Sequence, residues 1–139
     1  MLLVQLIYVS SISNGFTEDD IAQIIDSAKR NNLSRDITGI LCFNRKYFLQ
    51  CLEGSRAKVN EIYHKILNDK RHDNIIMLEY REISQRDFVD WSMGYVGDTS
   101  INEATNKMYS VSSEFDPYKV SGESAFLLLK HLSKTVNVV

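Results

Sequence analysis

The sequence predicts an α+β fold of the ferredoxin-like type, a β-α-β-β-α-β sandwich with an extra fifth strand and C-terminal helices. Two observations carry it: short β-type runs alternate with helical stripes in that order, and six Gly plus one Pro in 139 residues leave little room for a turn-rich architecture. A hydrophobic content of 44% excludes general disorder, and the length fits one domain rather than two. Residues 2–9 (LLVQLIYV) are aliphatic and aromatic and too short for a typical helix, so they form strand one. Thr17 offers an N-cap, Glu18, Asp19 and Asp20 suit the first turn, and Ile21, Ile24, Ile25 and Ala28 recur at helical spacing, so helix one runs to about Asn31 or Asn32. Residues 37–43 (ITGILCF) and 47–54 (YFLQCLEG), separated by three residues, form a hairpin. Ser55 caps helix two, whose stripe is Val59, Ile62, Tyr63, Ile66 and Leu67, and strand four runs from Ile75 to about Ile83. Strands one and three are expected as parallel neighbours at the sheet centre, with residues 88–97 (FVDWSMGYVG) as the fifth strand. After Gly97 two helices are expected, near Ile101–Tyr109 and Tyr118–Ser133, the second docking through Ala125, Leu128, Leu129 and Leu132. Residues 1–97 thus read as the principal unit and 98–139 as a helical extension of the same compact body.

Charge and cysteine usage narrow the setting. Sixteen basic against eighteen acidic residues, with no basic block, do not supply the positive face that displaces phosphate counterions, so nucleic acid is not expected as a partner. Cys42 and Cys51 have neither metal-ligand nor redox-motif spacing, which points to a reducing, cytoplasmic setting. The first residues lack a cationic leader pattern and no apolar run approaches a bilayer span, so neither a signal peptide nor a membrane partner is expected.

Several polar residues depart from a plain core pattern. Strand alternation puts Tyr8 on the face of Leu6, and Gln50 on the face of Phe48 and Leu52, so two polar tips point into one apolar layer. A buried amide needs partners for both its donor and its acceptor side. Tyr8 and Gln50 either satisfy each other and the backbone, or face a polar planar ligand held between the helices. Asn31 and Asn32 read equally as helix C-caps, the cluster Asp69, Arg71 and His72 as a solvated turn, and Trp91 with Met93 as packing. No phosphate loop, nucleophile elbow or zinc-protease motif is present, which argues against a hydrolase or metalloenzyme.

Taken together, YVSS after strand one, the Asn31–Asn32 pair, ITGIL, FLQCLEG, the D-x-R-H of residues 69–72 and WSM at 91–93 resemble the BLUF family of blue-light sensors using FAD. The resemblance covers about residues 2–97 and implies FAD as cofactor, with FMN or riboflavin as possible substitutes, and no enzymatic activity of the chain itself. It implies that Tyr8 is the photoactive tyrosine and Gln50 the glutamine bridging it to the flavin edge. Asn32 would bond the ring beside Asn31, and Asp69, Arg71 and His72 would form the polar group next to ring and side chain. Ile24, Ile25, Phe48 and Ile66 would line the slot, and Trp91 and Met93 would exchange places or bonds in signalling. Ala28 replaces a small polar residue of many relatives, and Lys65 an arginine of some, so the flavin contacts at these two positions differ here. The expected output is a downstream response protein and a homo-oligomer. Phe126 and Leu127, outside the docking stripe of the last helix, are expected as its contact face. Two other classes are compatible with the same elements: a small ferredoxin-like monooxygenase or other oxidoreductase, and an interaction module without chromophore.

Overall fold

The structure, a computed structural model, describes residues 2–13, 17–89, 93–97, 103–111, 113–135 and 137–138. Strand β1 (Leu3–Ile12) leads to helix α1 (Glu18–Ser34), the hairpin β2 (Thr38–Phe43) and β3 (Tyr47–Ser55), helix α2 (Arg56–Leu67) and strand β4 (His72–Ile83). Strand β5 (Gly94–Val96), helices α3 (Glu103–Tyr109) and α4 (Gly122–Leu132) and strand β6 (Asn137–Val138) follow. The sheet order is β4-β1-β3-β2-β5-β6. This is the predicted ferredoxin-like plan with its added fifth strand and C-terminal helices.

One expectation about direction is corrected: β1 and β3 are neighbours but antiparallel. The helical crossover makes β2 run with β1, and the hairpin reverses β3, so a β3 inserted between them opposes both. The fifth strand is also shorter than the expected residues 88–97. Asp87 and Phe88 give their backbone N–H groups to the Glu53 carboxylate instead of to a strand, and among the described residues pairing with β2 runs from Gly94 to Val96.

The sheet buries both faces. Val4, Leu6, Tyr8, Phe48 and Leu52 meet Ile24 and Ile25 of α1 and Val59, Ile62 and Tyr63 of α2 on one side. Ile7, Val9, Leu49 and Cys51 meet Ala125, Leu128, Leu129 and Leu132 of α4 on the other, the stripe the sequence assigned to docking. Period-two alternation in β1 and β3 thus decides which residues face which helices. Phe126 departs from its expected role as a contact face, because its ring packs edge-on against Phe88 and under the Arg81 guanidinium, leaving Leu127, 44% exposed, as the outward residue of that pair.

Gly39 permits the closest approach within the hairpin. A Cβ built there would stand 2.0 Å from the Cys51 carbonyl oxygen, a backbone atom that a rotamer change does not move. Gly39→Ala is expected to cost on the order of 1–3 kcal/mol through forced separation of β2 and β3, read as a lowered urea midpoint at unchanged slope.

Candidate functional site

Local sequence sets the walls of the site. At the start of α1, Thr17 and Asp20 form a reciprocal capping box. The helix then runs past both asparagines, because Arg35 takes the C-cap position and gives its backbone N–H to the carbonyls of Asn32 and Leu33, while Asp36 adopts the left-handed φ of 54°. Asn31 and Asn32 therefore occupy the last turns as side-chain-bearing wall residues and not as caps, and Asn32 is fully buried. Ser55 caps α2, and β4 begins at His72, three residues earlier than expected, so His72 is held in the sheet layer.

Between α1 and α2, above β1 and β3, lies a cleft of about 510 Å³ including its open mouth. It is lined by Tyr8, Ile24, Ala28, Asn31, Asn32, Gln50, Lys65, Ile66, Asp69, Arg71 and His72, together with Ser27 and Ile62. The structure thus brings most of the candidate residues to one place. Ile25, Phe48 and Met93 lie in the apolar cluster behind the lining. Trp91 is outside the described residues. Ser27 was absent from the sequence reading and Ile62 appeared there only as core. Both were legible from spacing, because 24, 27, 28 and 31 share one face of α1, and 62, 65 and 66 share one face of α2.

Tyr8 and Gln50 are direct cross-strand partners. The Tyr8 hydroxyl donates to Gln50 Oε1, and Gln50 Nε2 faces the Met93 sulfur at 3.5 Å. The register of the β1–β4 pairing shifts between Ile7 and Tyr8, so the ladder is irregular at this residue. Burial pushes the Tyr8 phenol well above its usual pKa, with Tyr63, whose ring lies 5.8 Å away, and Asp69 adding to the rise. The phenol therefore keeps its proton throughout the physiological range.

The polar wall is organised by ion pairing. Burial would lift the Asp69 carboxyl, but Arg71 grips it through Nε at 3.0 Å and Nη2 at 2.7 Å and holds it below the usual carboxylate range. His72 is lowered to about 4, chiefly by burial and further by Arg71, against the pull of Asp69 and Asp73. Its Nδ1 lies 2.7 Å from Ser10 Oγ and its ring centroid 5.0 Å from that of Phe48.

This shift makes a testable pH dependence. The unfolded chain binds a proton at His72 below pH 6.5 that the folded chain refuses until about pH 4, so stability is full above pH 6.5 and falls as pH drops through that window. Going from pH 7 to 5 is expected to remove about 2 kcal/mol through this group. Urea titrations at the two pH values check it, and His72→Gln should flatten the difference by a similar amount.

Comparison with known proteins places this geometry. The family model described as "BLUF: Sensors of blue-light using FAD" matches residues 3–94, which include every lining residue of the cleft. The chain belongs to the BLUF family. Among curated proteins it is 42% identical over 77 residues to the "Blue light- and temperature-regulated antirepressor BluF" of Escherichia coli (strain K12), covering 55% of this chain and 19% of that protein. The chain therefore spans about a fifth of that curated relative. Among solved structures, BlsA in its photo-activated state superposes with a TM-score of 0.84 at 31% identity over 94% of each chain. BlrB in its dark state gives 0.81 at 30% identity over 96% of each. Superpositions of this extent take in the C-terminal helices of this chain as well as the sandwich.

Among the described residues no helix is long and apolar enough to cross a membrane.

Proposed function

We propose that this chain is a blue-light photoreceptor that holds FAD in the cleft between α1 and α2 and signals by rearranging the hydrogen bonds of Tyr8, Gln50 and Met93. The observation that carries this reading is the continuous line from Tyr8 Oη and the Gln50 amide in the cleft lining to the Met93 sulfur behind it. The residues present fit a flat heterocycle with polar edges. Ile24, Ile62 and Ile66 offer apolar faces, the amides of Asn31, Asn32 and Gln50 offer both donors and acceptors, and Lys65 and Arg71 bring positive charge for a phosphorylated side chain. Ala28 leaves room without adding a hydrogen bond. Because the amides recognise the ring, FMN or riboflavin would occupy the same floor.

A bound flavin supplies blue-light absorption and, once excited, an acceptor for an electron and a proton. Tyr8 is suited to supply both, since its buried phenol is neutral and its hydroxyl proton already points along a hydrogen bond. Gln50 can reverse its donor and acceptor ends by rotation without gaining charge. After such a reversal its NH2 faces Tyr8 and its carbonyl faces Met93, so the thioether loses its donor. An exchange worth about 1 kcal/mol shifts a two-state equilibrium several-fold, which suffices if the segment carrying Met93 has two arrangements.

The output in this reading is to another protein, with no catalytic step of the chain's own. The E. coli relative is named an antirepressor, which supports a downstream protein partner here. Self-association belongs to the same proposal, and light scattering after size exclusion, in darkness and in light, is expected to give more than the monomer mass. Membership of a flavin-using family removes the ground for the monooxygenase reading. The chromophore itself tests the proposal. Purified protein is expected to be yellow, and acid-released chromophore to co-elute with FAD. A colourless protein that takes up no flavin on mixing leaves the chromophore-free interaction module in its place, and a haem Soret band overturns the reading.

A further inference from the structure

A buried hydrogen-bonded cluster lies on the face of β3 opposite the cleft. Glu53, three residues beyond Gln50 and pointing the other way, is fully buried. Its Oε2 accepts from Asp87 N at 2.8 Å and from Gln5 Nε2 at 2.9 Å, and its Oε1 accepts from Phe88 N at 2.8 Å. Gln5 also donates to Asp87 Oδ2 at 3.0 Å and accepts from Arg81. Arg86 adds a second grip on the same segment, reaching Asp36 O at 2.7 Å, Thr38 Oγ1 at 3.0 Å and Glu53 O at 3.1 Å.

The chain leaves this grip at Phe88, whose ring is buried in the cluster under α4, and is held again at Gly94 by pairing with Ile40 of β2. Met93, one residue before that pairing, belongs to the cluster on the cleft side. Phe88 and Met93 therefore lie on opposite faces of the sheet and are only five residue steps apart, a reach of at most about 18 Å. Fixing one end of so short a tether limits where its other end can place a side chain.

We infer that Glu53 is a positioning residue for the Gln50–Met93 contact: by holding the backbone of Asp87 and Phe88 it fixes the near end of the segment that presents Met93 to Gln50. The inference rests on the photoreceptor reading for its consequence in light, but its structural content holds in darkness. Glu53→Gln replaces one accepting oxygen with an NH2 that confronts backbone N–H groups, so at least one grip is lost. Arg86→Met loosens the same segment without a change inside the core.

The test uses flavin-loaded protein with 13C-methyl methionine. In darkness, Glu53→Gln and Arg86→Met are each expected to shift or split the Met93 methyl signal, assigned by its loss in Met93→Leu, while Met77 and Met108, 41% and 63% exposed, keep theirs. In light, both variants are expected to form the parent's spectral change and return to darkness several-fold faster, because the grip raises the barrier for moving Met93. In a Met93→Leu background Glu53→Gln should add nothing to the return rate. A Met93 signal unchanged in Arg86→Met and in any folded Glu53→Gln overturns the inference, as does a return rate that changes additively with Met93→Leu. A parent without any light response refutes the photoreceptor reading, and the dark methyl signals then decide the role of Glu53 alone.

Discussion

Tyr8→Phe is expected to bind FAD as the parent does and to lose the light-induced red-shift completely. The ring of Tyr8 lies in a close-packed layer with Tyr63 and His72, so phenylalanine preserves the wall, while the hydroxyl that donates to Gln50 Oε1 disappears. Gln50→Leu should act in the same way, since leucine fills the volume but cannot exchange donor and acceptor. The effect is all-or-none because the spectral change reports the rearranged bonds themselves. Illuminated difference spectra at matched flavin content check both variants, and a normal red-shift in either one removes these two residues from the switch.

Asn32→Ala is expected to lower flavin affinity several-fold. The amide is fully buried in the cleft wall, and one lost hydrogen bond is worth about 1 kcal/mol net, a factor of about five in Kd, with more lost if the ligand's own polar atom stays buried without a partner. The helix should survive, because alanine is the best helix former and Asn32 is not the cap. Equilibrium dialysis measures the affinity and circular dichroism the fold. Parent-like affinity would assign Asn32 to packing alone.

The order of elements was legible because hydrophobic period changes cleanly from two to 3.6 along this chain. Thr17 and Ser55 marked both helix starts by capping chemistry that depends only on nearby residues. The central pair was legible too, since alternation alone puts Tyr8 and Gln50 on one face. What escaped depends on long-range contacts. The direction of β1 against β3 is the exception, because the hairpin and the helical crossover, both legible, already require a β3 inserted between β1 and β2 to oppose them. The fifth strand was overextended because Phe88 and Val89 look like strand residues, whereas Glu53, 35 positions before Phe88, takes the backbone N–H that a strand would need. Phe126 looked surplus to the α4 stripe, yet Phe88 and Arg81 supply the surface it covers. The roles of Asn31 and Asn32 stayed open between cap and wall until the helix was seen to end at Ser34.

In the proposed photocycle light rewires the bonds at Tyr8 and Gln50 around a bound flavin. A light-minus-dark absorption difference spectrum of the purified, flavin-loaded protein should show the flavin bands displaced to longer wavelength, returning fully in darkness, with no bleaching that would mark a lasting covalent change to the ring. A spectrum identical before and after blue illumination, with flavin demonstrably bound, would contradict it.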